Sequence, residues 1–312
     1  MPNSQINPVP VVYRGRFAPS PTGLLHLGSL VAALGSYLDA RAHGGDWLLR
    51  MEDLDPPRIQ PGAADTILRS LEAHGFTWDE AVVLQSQRQT AYADALERVR
   101  QTGQVYACTC SRKEIALNAR QGADGPVYPG TCRPRTLPAH NAAQRFRLPE
   151  GLIVFEDRLH GQVVCDIAQE LGDFVLRRAD GIYSYQLAVV VDDAEQGITH
   201  IVRGSDLLVS TPRQIALQQA LGLATPTYLH LPVVLNATGE KLSKQTLATP
   251  LNTADPLPNL LTALRFLGQP CDDPPATLTE FWSWAIEHWS PRRLPRWRGA
   301  PLELRPKADL KA

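Results

Sequence analysis

Apolar residues at helical spacing follow a proline-rich stretch near the start of the chain, and they predict a helix with one buried face. The spaced positions are Leu27, Leu30, Val31, Leu34 and Leu38. Before the stretch, residues 11–13 (Val-Val-Tyr) predict a buried strand. The stretch itself, residues 16–29, therefore joins the carboxyl end of a predicted strand to a predicted helix. In open α/β sheets, ligands bind outside such strand ends.

Strand-like and helix-like patterns alternate along the rest of the chain, which favours an α/β fold. Predicted strands cover residues 46–52, 105–110, 146–148, 152–155, 162–165, 173–178, 186–193, 198–202 and 231–236. Predicted helices cover residues 66–74, 88–101, 257–267 and 278–289, and two more begin at Thr211 and at the capping box of Ser111 and Glu114. We divide the chain into a first half of the main fold (1–104), an inserted α/β unit (105–181), a second half (182–249) and a short helical C-terminal region (250–312).

Composition limits the setting in which the protein works. The chain has 312 residues, 44% of them apolar, and a formal net charge of −1, so any RNA contact needs a local basic face. No run of about 18 apolar residues predicts a membrane span, and the first residues, Met-Pro-Asn-Ser, lack the pattern of a signal peptide. Five cysteines, two of them in a Cys-x-Cys, argue against a disulfide framework, and we expect a cytoplasmic protein.

The stretch at residues 16–29 has the chemistry of a phosphate site. Unpaired N–H groups at the start of the predicted helix, and its positive dipole end, favour phosphate. His26 would donate to phosphate oxygens there, and Gly28 would let a ligand approach the backbone closely. A proline-rich turn before a helix is most often only a turn, so the inference depends on a second motif.

The second motif is residues 241–245 (Lys-Leu-Ser-Lys-Gln). With the His-x-Gly-Ser at residues 26–29, it resembles the two signature sequences of class I aminoacyl-tRNA synthetases, His-Ile-Gly-His and Lys-Met-Ser-Lys-Ser. The string Arg-x-Ala-Pro-Ser-Pro-Thr-Gly that begins at Arg16 narrows the resemblance to the glutamyl branch. The chain departs from the general pattern at Ser29, Leu242 and Gln245 and keeps both lysines.

The resemblance implies a Rossmann-like nucleotide-binding fold that uses ATP and Mg²⁺. It implies catalytic roles for His26, Lys241 and Lys244, and ATP contacts from His26, Gly28, Ser29 and Lys244. It further implies that the substrate amino acid is held by Arg16, Phe17, Ala18, Pro19, Ser20, Glu52, Tyr185 and Arg203.

The charges in this implied amino-acid site favour L-glutamate. Arg16 and Arg203 are more than one α-carboxylate needs, so a second guanidinium argues for a second carboxylate and against glutamine. Tyr185 would donate a hydroxyl hydrogen bond, and Glu52 would face the ammonium group of the substrate. From the residues alone, Glu52 could also be a solvated loop residue and Arg203 a surface charge.

Three cysteines in the predicted insert form a candidate zinc site. Cys108 and Cys110 lie two apart on an extended segment and point to the same side, and a returning loop with Cys132 can complete a thiolate site. The alternative is burial as small hydrophobic side chains, the usual fate of free cysteines. The residues leave the fourth ligand open, because no histidine lies between Cys110 and Cys132.

Related glutamyl-type enzymes without an anticodon domain have the pattern Cys-x-Cys…Tyr-x-x-x-Cys, in which the tyrosine phenolate is a ligand. Tyr128 has the matching position, so the resemblance implies one structural Zn²⁺ per chain with Tyr128 as its fourth ligand. Otherwise Tyr128 would be an aromatic side chain packed on the loop.

The C-terminal part narrows the resemblance further. About 60 residues follow the 241–245 motif, fewer than the helical anticodon-binding region of a full glutamyl-tRNA synthetase needs. Together with the cysteine-containing insert, this resembles the glutamyl-Q tRNA(Asp) synthetases. That family activates L-glutamate without tRNA and transfers it to queuosine in the anticodon loop of tRNA(Asp). The resemblance therefore implies the anticodon stem-loop as a partner, and we expect a monomer without membrane contact.

Other interpretations stay open. The chain could be a truncated glutamyl-tRNA synthetase that charges a tRNA 3′ end, a non-catalytic tRNA-binding paralogue, or another nucleotidyltransferase of the same superfold. His26 and both lysines argue against a non-catalytic protein, and the paired arginines disfavour the last alternative. Four arginines near the C-terminus are candidates for RNA phosphate contacts or part of a solvated tail. They are Arg292, Arg293, Arg296 and Arg298.

Overall fold

The computed structural model of the chain describes residues 12–236, 239, 249–271 and 273–301. The first elements are β1 (Arg14–Phe17), α1 (Leu27–Ala42), β2 (Asp46–Met51), α2 (Ala63–Ala73), β3 (Val83–Leu84) and α3 (Gln89–Gln101). The next are β4 (Val105–Cys108), α4 (Arg112–Asn118), β5 (Arg120–Gly122), β6 (Gly125–Val127), β7 (Ala143–Phe146), β8 (Leu152–Asp157), β9 (Gly161–Asp166), α5 (Ile167–Glu170) and β10 (Phe174–Arg177). The last are α6 (Tyr185–Glu195), β11 (His200–Gly204), α7 (Thr211–Leu221), β12 (Thr227–Leu231), β13 (Val233–Leu235), α8 (Leu257–Phe266), α9 (Leu278–His288) and β14 (Gly299–Pro301).

Parallel strands build the main fold. β1, β2 and β3 form one parallel sheet, and β11, β12 and β8 form a second parallel run that continues antiparallel into β9. The two sheets meet where the Thr199 N–H donates to the Arg14 carbonyl at 3.0 Å. In the insert, β4, β7 and β10 form an antiparallel sheet. The predicted α/β class is confirmed, and the pairing of β8 with β12 shows that the insert shares a sheet with the second half.

The two C-terminal helices pack into the main core. Leu260 and Leu264 of α8 and Phe281 of α9 are fully buried in the same hydrophobic cluster as Leu30 and Leu34 of α1. After α9, β14 pairs with β13 in parallel register. The described chain after residue 250 therefore closes over the first helix of the fold, and the domain boundaries given above stay a prediction.

Residues 186–193 form most of a helix, where their apolar run predicts a strand. Ser184 caps α6 by accepting a hydrogen bond from the Leu187 N–H at 3.4 Å. Residues 187–193 are all buried, so the helix shows no polar stripe in this part of the sequence. The strand prediction for these residues was wrong. A short apolar run looks alike in a buried strand and in a buried helix, so its pattern does not distinguish the two. The helix instead places Asp192 and Asp193 in its last turns, beside β1 and β2.

Two smaller predictions have different outcomes. β1 begins at Arg14, later than the apolar residues suggest, and the side chain of Val12 is 65% exposed. The capping box at the start of α4 is confirmed, because Ser111 and Glu114 exchange hydrogen bonds between their side chains and backbones.

Across the described ranges, each helix is too short or too polar to cross a membrane.

Candidate active site

A cavity of about 430 Å³ lies at the carboxyl ends of β1 and β11, next to the start of α1. All the predicted amino-acid and ATP residues that the structure describes line this cavity. They are Arg16, Phe17, Ala18, Pro19, Ser20, His26, Gly28, Ser29, Glu52, Tyr185 and Arg203. Lys241 and Lys244 lie outside the described residues. The structure thus brings residues from four separate parts of the sequence to one place, while their individual roles stay predictions.

His26 is the N-cap residue of α1 and contributes a hydrogen-bond donor to the cavity. Its Nδ1 accepts from the Ser29 backbone N–H at 3.3 Å. Because Nδ1 accepts, the ring proton is assigned to Nε2, which makes that atom a donor. The chain returns to this point after the segment with the two lysines. Pro250 pairs with His26, and the Leu251 N–H donates to the Leu25 carbonyl at 3.1 Å.

Arg203, near the end of β11, is buried and held by three polar groups. Its Nε donates to His230 Nε2 at 3.1 Å, and its Nη2 donates to Thr211 Oγ1 at 2.7 Å. Its Nη1 donates to the Tyr185 hydroxyl at 3.4 Å. The guanidinium group therefore has a fixed plane at the wall of the cavity.

Arg16 shares a buried carboxylate with Arg50. The Nε and Nη2 atoms of Arg16 bind the two carboxylate oxygens of Asp193 at 3.0 and 3.2 Å. Arg50 Nη2 binds the first of these oxygens at 2.7 Å. This arrangement fixes Arg16 at the cavity wall. It also gives Arg16 a carboxylate partner inside the protein, so the presence of Arg16 is weaker support for a second substrate carboxylate than the sequence alone indicates.

Glu52 follows β2 and is partly buried at the same cavity. Burial raises the pKa of its carboxyl group to about 7, against the lowering effect of Arg50, Arg16 and Arg203. The carboxyl group therefore changes charge near neutral pH. Above that pH it gives the cavity an anionic group suited to an ammonium partner.

The three cysteines of the insert come together with Tyr128. Their sulfur atoms all lie within 4.8 Å of one another, and Cys110 Sγ is 3.5 Å from Cys132 Sγ. The Tyr128 hydroxyl lies 3.3 Å from Cys108 Sγ and 3.6 Å from Cys110 Sγ. Ligands of one tetrahedral zinc ion at a Zn–S distance of about 2.3 Å are separated by about 3.8 Å. The donor atoms and their separations therefore fit a zinc ion.

Several residues that build the site were not identified from the sequence. They are Arg50, Asp193, Thr211, His230 and the lining residue Arg58. Asp193 carried no separate signal, since the strand prediction for residues 186–193 concealed its contacts. His230 carried none, because an isolated histidine inside an apolar strand is usually only part of the core.

Comparison with known proteins agrees with this geometry. The family model described as tRNA synthetases class I (E and Q), catalytic domain, matches residues 12–269. The Glutamyl-Q tRNA(Asp) synthetase of Chromobacterium violaceum is 59% identical over 297 residues, which are 94% of this chain and 98% of that protein. The chain belongs to the glutamyl-Q tRNA(Asp) synthetase family. The member from Dechloromonas aromatica is 58% identical over 290 residues, which are 91% of this chain and 96% of that protein.

Two solved structures of glutamate-tRNA synthetases share the fold of this glutamyl-Q tRNA(Asp) synthetase family member. The one from Elizabethkingia anophelis has a TM-score of 0.74 at 28% identity, and the match covers 92% of this chain and 67% of that protein. The glutamate tRNA ligase from Elizabethkingia meningosepticum, in complex with its amino acid, has a TM-score of 0.75 at 27% identity. That match covers 91% of this chain and 66% of the ligase. Membership of class I implies ATP as a substrate and Mg²⁺ as the metal ion that accompanies it.

Proposed function

We propose that this protein activates L-glutamate with ATP, without tRNA, and transfers the glutamyl group to queuosine in the anticodon loop of tRNA(Asp). One observation carries the proposal. A single cavity joins His26 and a helix N-terminus, which suit phosphates, to Arg203 and Glu52, which suit an amino acid. The chain around it is 59% identical to a Glutamyl-Q tRNA(Asp) synthetase over almost the whole of both proteins.

Activation would join the two halves of the cavity. An oxygen of the α-carboxylate of glutamate attacks the α-phosphorus of ATP, a new oxygen–phosphorus bond forms, and the bond to the leaving pyrophosphate breaks. Negative charge grows on the pyrophosphate, so positioning and preorganised donors supply most of the catalysis. The described donors are His26 Nε2 and the N–H groups at the start of α1, and we assign Lys241 and Lys244 to the same task.

Magnesium would come with the nucleotide. Among the described residues, the group with metal-ligand spacing is the cysteine cluster, so the cavity wall does not offer a carboxylate cluster for a cation. Mg²⁺ would therefore bind chiefly through the phosphates of ATP and neutralise part of their charge.

Glutamate would bind at the other side of the cavity. Arg203 and the Tyr185 hydroxyl would hold one carboxylate, and Arg16 would attract the other while it stays paired with Asp193. Glu52 would bind the ammonium group. Residues 17–20 would contact the substrate from the loop that follows β1.

We assign the cysteine cluster to one structural Zn²⁺, held by Cys108, Cys110, Cys132 and Tyr128. The sulfur separations support this assignment, as does the Cys132 N–H, which orients the Tyr128 hydroxyl by donating to it at 2.9 Å. The ion would join the end of β4 to the loop after β6 and so give the insert a defined surface.

For transfer, a hydroxyl group of queuosine would attack the carbonyl carbon of glutamyl-adenylate and release AMP. The anticodon stem-loop would lie across the cavity and the insert, because loop bases can leave the stack and enter a cavity as duplex bases cannot. The four C-terminal arginines are exposed, which makes them available to RNA phosphates. They are Arg292, Arg293, Arg296 and Arg298. We propose that a monomer carries out both steps.

Exchange of labelled pyrophosphate into ATP tests activation. It should occur with glutamate in the absence of tRNA, and at least about tenfold more weakly with glutamine or aspartate. Exchange that appears only after tRNA is added would move this protein to the ordinary glutamyl-tRNA synthetases.

His26→Asn provides a matched variant for this assay. Asparagine is among the best N-cap residues, so the helix keeps its cap while the Nε2 donor is lost. Exchange should fall about 100-fold, with little change in the midpoint of thermal unfolding. His26→Ala should lower both the pyrophosphate exchange and the midpoint of thermal unfolding, because alanine removes the cap as well as the donor. Full exchange in His26→Asn would remove His26 from the catalytic residues.

A further inference from the structure

His230 lies in β12, behind the cavity wall, and is fully buried. Its two ring nitrogens contact groups of opposite charge. Nδ1 lies 2.7 Å from a carboxylate oxygen of Asp157, while Nε2 accepts from Arg203 Nε at 3.1 Å. Nε2 also lies 3.0 Å from Thr211 Oγ1, which accepts from Arg203 Nη2. A continuous path of hydrogen bonds therefore runs from Asp157 to the guanidinium group in the cavity.

The hydrogen bonds decide which nitrogen carries the proton. Asp157 accepts four N–H groups: those of the Leu159, His160 and His230 backbones, at 2.9 to 3.0 Å, and Nδ1 of His230. Burial raises the pKa of Asp157, but the bonds from His230 and the backbone outweigh it and leave the pKa below its usual value. Asp157 is therefore an acceptor, so Nδ1 must donate.

The other nitrogen must then accept. A guanidinium group can only donate, so Nε2 offers its lone pair to Arg203 and the ring is neutral. Burial and the charge of Arg203 lower the pKa of His230 to about 4, against the opposing effect of Asp157. The geometry and the charges thus agree that His230 stays neutral over the range in which the enzyme would work.

We propose that His230 is a positioning residue for the amino-acid site: by accepting from Nε, it fixes the plane in which Arg203 meets a substrate carboxylate. Thr211 holds Nη2, so the corner of the guanidinium group at Nη1 faces Tyr185 and the cavity. A guanidinium group fixed in this way offers only donors, which match a carboxylate and mismatch the N–H₂ of an amide. His230 therefore supports the preference for glutamate over glutamine. The inference rests on the proposed role of Arg203 in substrate binding.

Two replacements separate the functions of the two nitrogens. Asparagine places its amide near the position of Nδ1, so His230→Asn keeps a donor for Asp157 and loses the acceptor for Arg203. Glutamine places its amide near Nε2, so His230→Gln keeps an acceptor for Arg203. His74 is the matched control, since it is also buried, with Nδ1 at the Ser70 carbonyl and Nε2 beside the Asn259 amide, and it does not line the cavity.

The test measures the Kd of glutamate by calorimetry and the KM values of glutamate and ATP by pyrophosphate exchange. His230→Asn should weaken glutamate binding about 10- to 100-fold and raise its KM alike, while the KM of ATP changes less than about twofold. His230→Gln should stay within about threefold of the wild type for both substrates, as should His74→Gln. In a double-mutant cycle, the effects of His230→Asn and Arg203→Lys on the Kd of glutamate should not add, because both act through one guanidinium group.

Equal losses for both substrates in His230→Asn, equal behaviour of the Asn and Gln variants, or additivity with Arg203→Lys would overturn the inference. If His230→Asn does not fold, Thr211→Val removes the hydroxyl that accepts from Nη2 of Arg203 and so tests the same positioning. It should weaken the binding of glutamate and leave the KM of ATP unchanged. Unchanged values for both substrates would count against the proposal. Wild-type protein that binds glutamate without exchange would contradict the proposed function, while the binding constants would still decide the role of His230.

Discussion

Glutamate should bind about tenfold more tightly at pH 8 than at pH 6, because Glu52 must be ionised to meet the ammonium group and its pKa is about 7. The titratable groups that act on Glu52 include the charged Arg50, Arg16, Arg203 and Asp193, and the Tyr185 hydroxyl also faces it. The three arginines favour the charged carboxylate, and burial and Asp193 oppose it. The bound ammonium group would add a fourth positive charge and shift the balance to the carboxylate, so binding should release a proton below pH 7.

Glu52→Gln should remove this pH dependence and weaken the binding of glutamate at pH 8 by about 100-fold. The reason is that the substrate ammonium group would lose its charged partner in a partly dry site. Calorimetry in two buffers of different ionisation enthalpy measures the affinity and the proton release together. The KM of ATP is the internal control and should keep its pH profile. A pH profile for glutamate that is the same in the wild type and in Glu52→Gln would remove Glu52 from the ammonium site.

The same carboxyl group should affect stability with a predictable sign. Its pKa in the folded state lies above the usual value of 4.5, so the folded protein binds this proton more tightly than the unfolded chain does. The contribution of Glu52 to the free energy of unfolding therefore falls as the pH rises from about 4.5 to about 7. This cost at neutral pH is typical of a carboxylate that is buried for binding a substrate and not for holding the fold.

The purified protein should carry about one zinc ion per chain, and Cys110→Ser should lose most of it. Thiolate ligands are needed for tight tetrahedral binding, and removal of one leaves the others without a complete site. The thermal midpoint of Cys110→Ser should fall. Because the cluster lies in the insert and not at the cavity, transfer to tRNA should suffer more than glutamate activation.

Cys271→Ser is the matched control for zinc binding, because Cys271 is a partly buried free cysteine that lies outside the cluster. It should keep full zinc, measured by atomic emission together with protein concentration. Stoichiometric zinc in Cys110→Ser would exclude this set of ligands. Tyr128→Phe with normal zinc would exclude only the fourth ligand.

The elements that could be predicted from the sequence are those whose signal is local. α2 and α3 have one apolar face and lie within a few residues of their predicted bounds, and the capping box at Ser111 needs only contacts three residues apart. The cavity residues were found because Arg16, His26 and their neighbours belong to a motif.

The contacts that could not be predicted are those set by tertiary packing. Residues 187–193 of α6 are all buried, so this part of its sequence does not show the polar face by which helices are recognised. The pairing of Arg16 with Asp193 joins residues 177 positions apart, and Arg203 and His230 meet only because β11 and β12 are neighbours. Hydrogen bonds of this kind follow from the assembled sheet and have no local pattern.

Labelling of tRNA(Asp) with radioactive glutamate tests the central claim most directly. The tRNA is prepared from cells that can make queuosine and from cells that cannot, and both samples are incubated with the protein, ATP and Mg²⁺. The account predicts label only in the queuosine-containing tRNA, in the anticodon-loop fragment after nuclease digestion, and released by mild base. Equal labelling of the two tRNAs, or label confined to the 3′-terminal nucleotide, would contradict it.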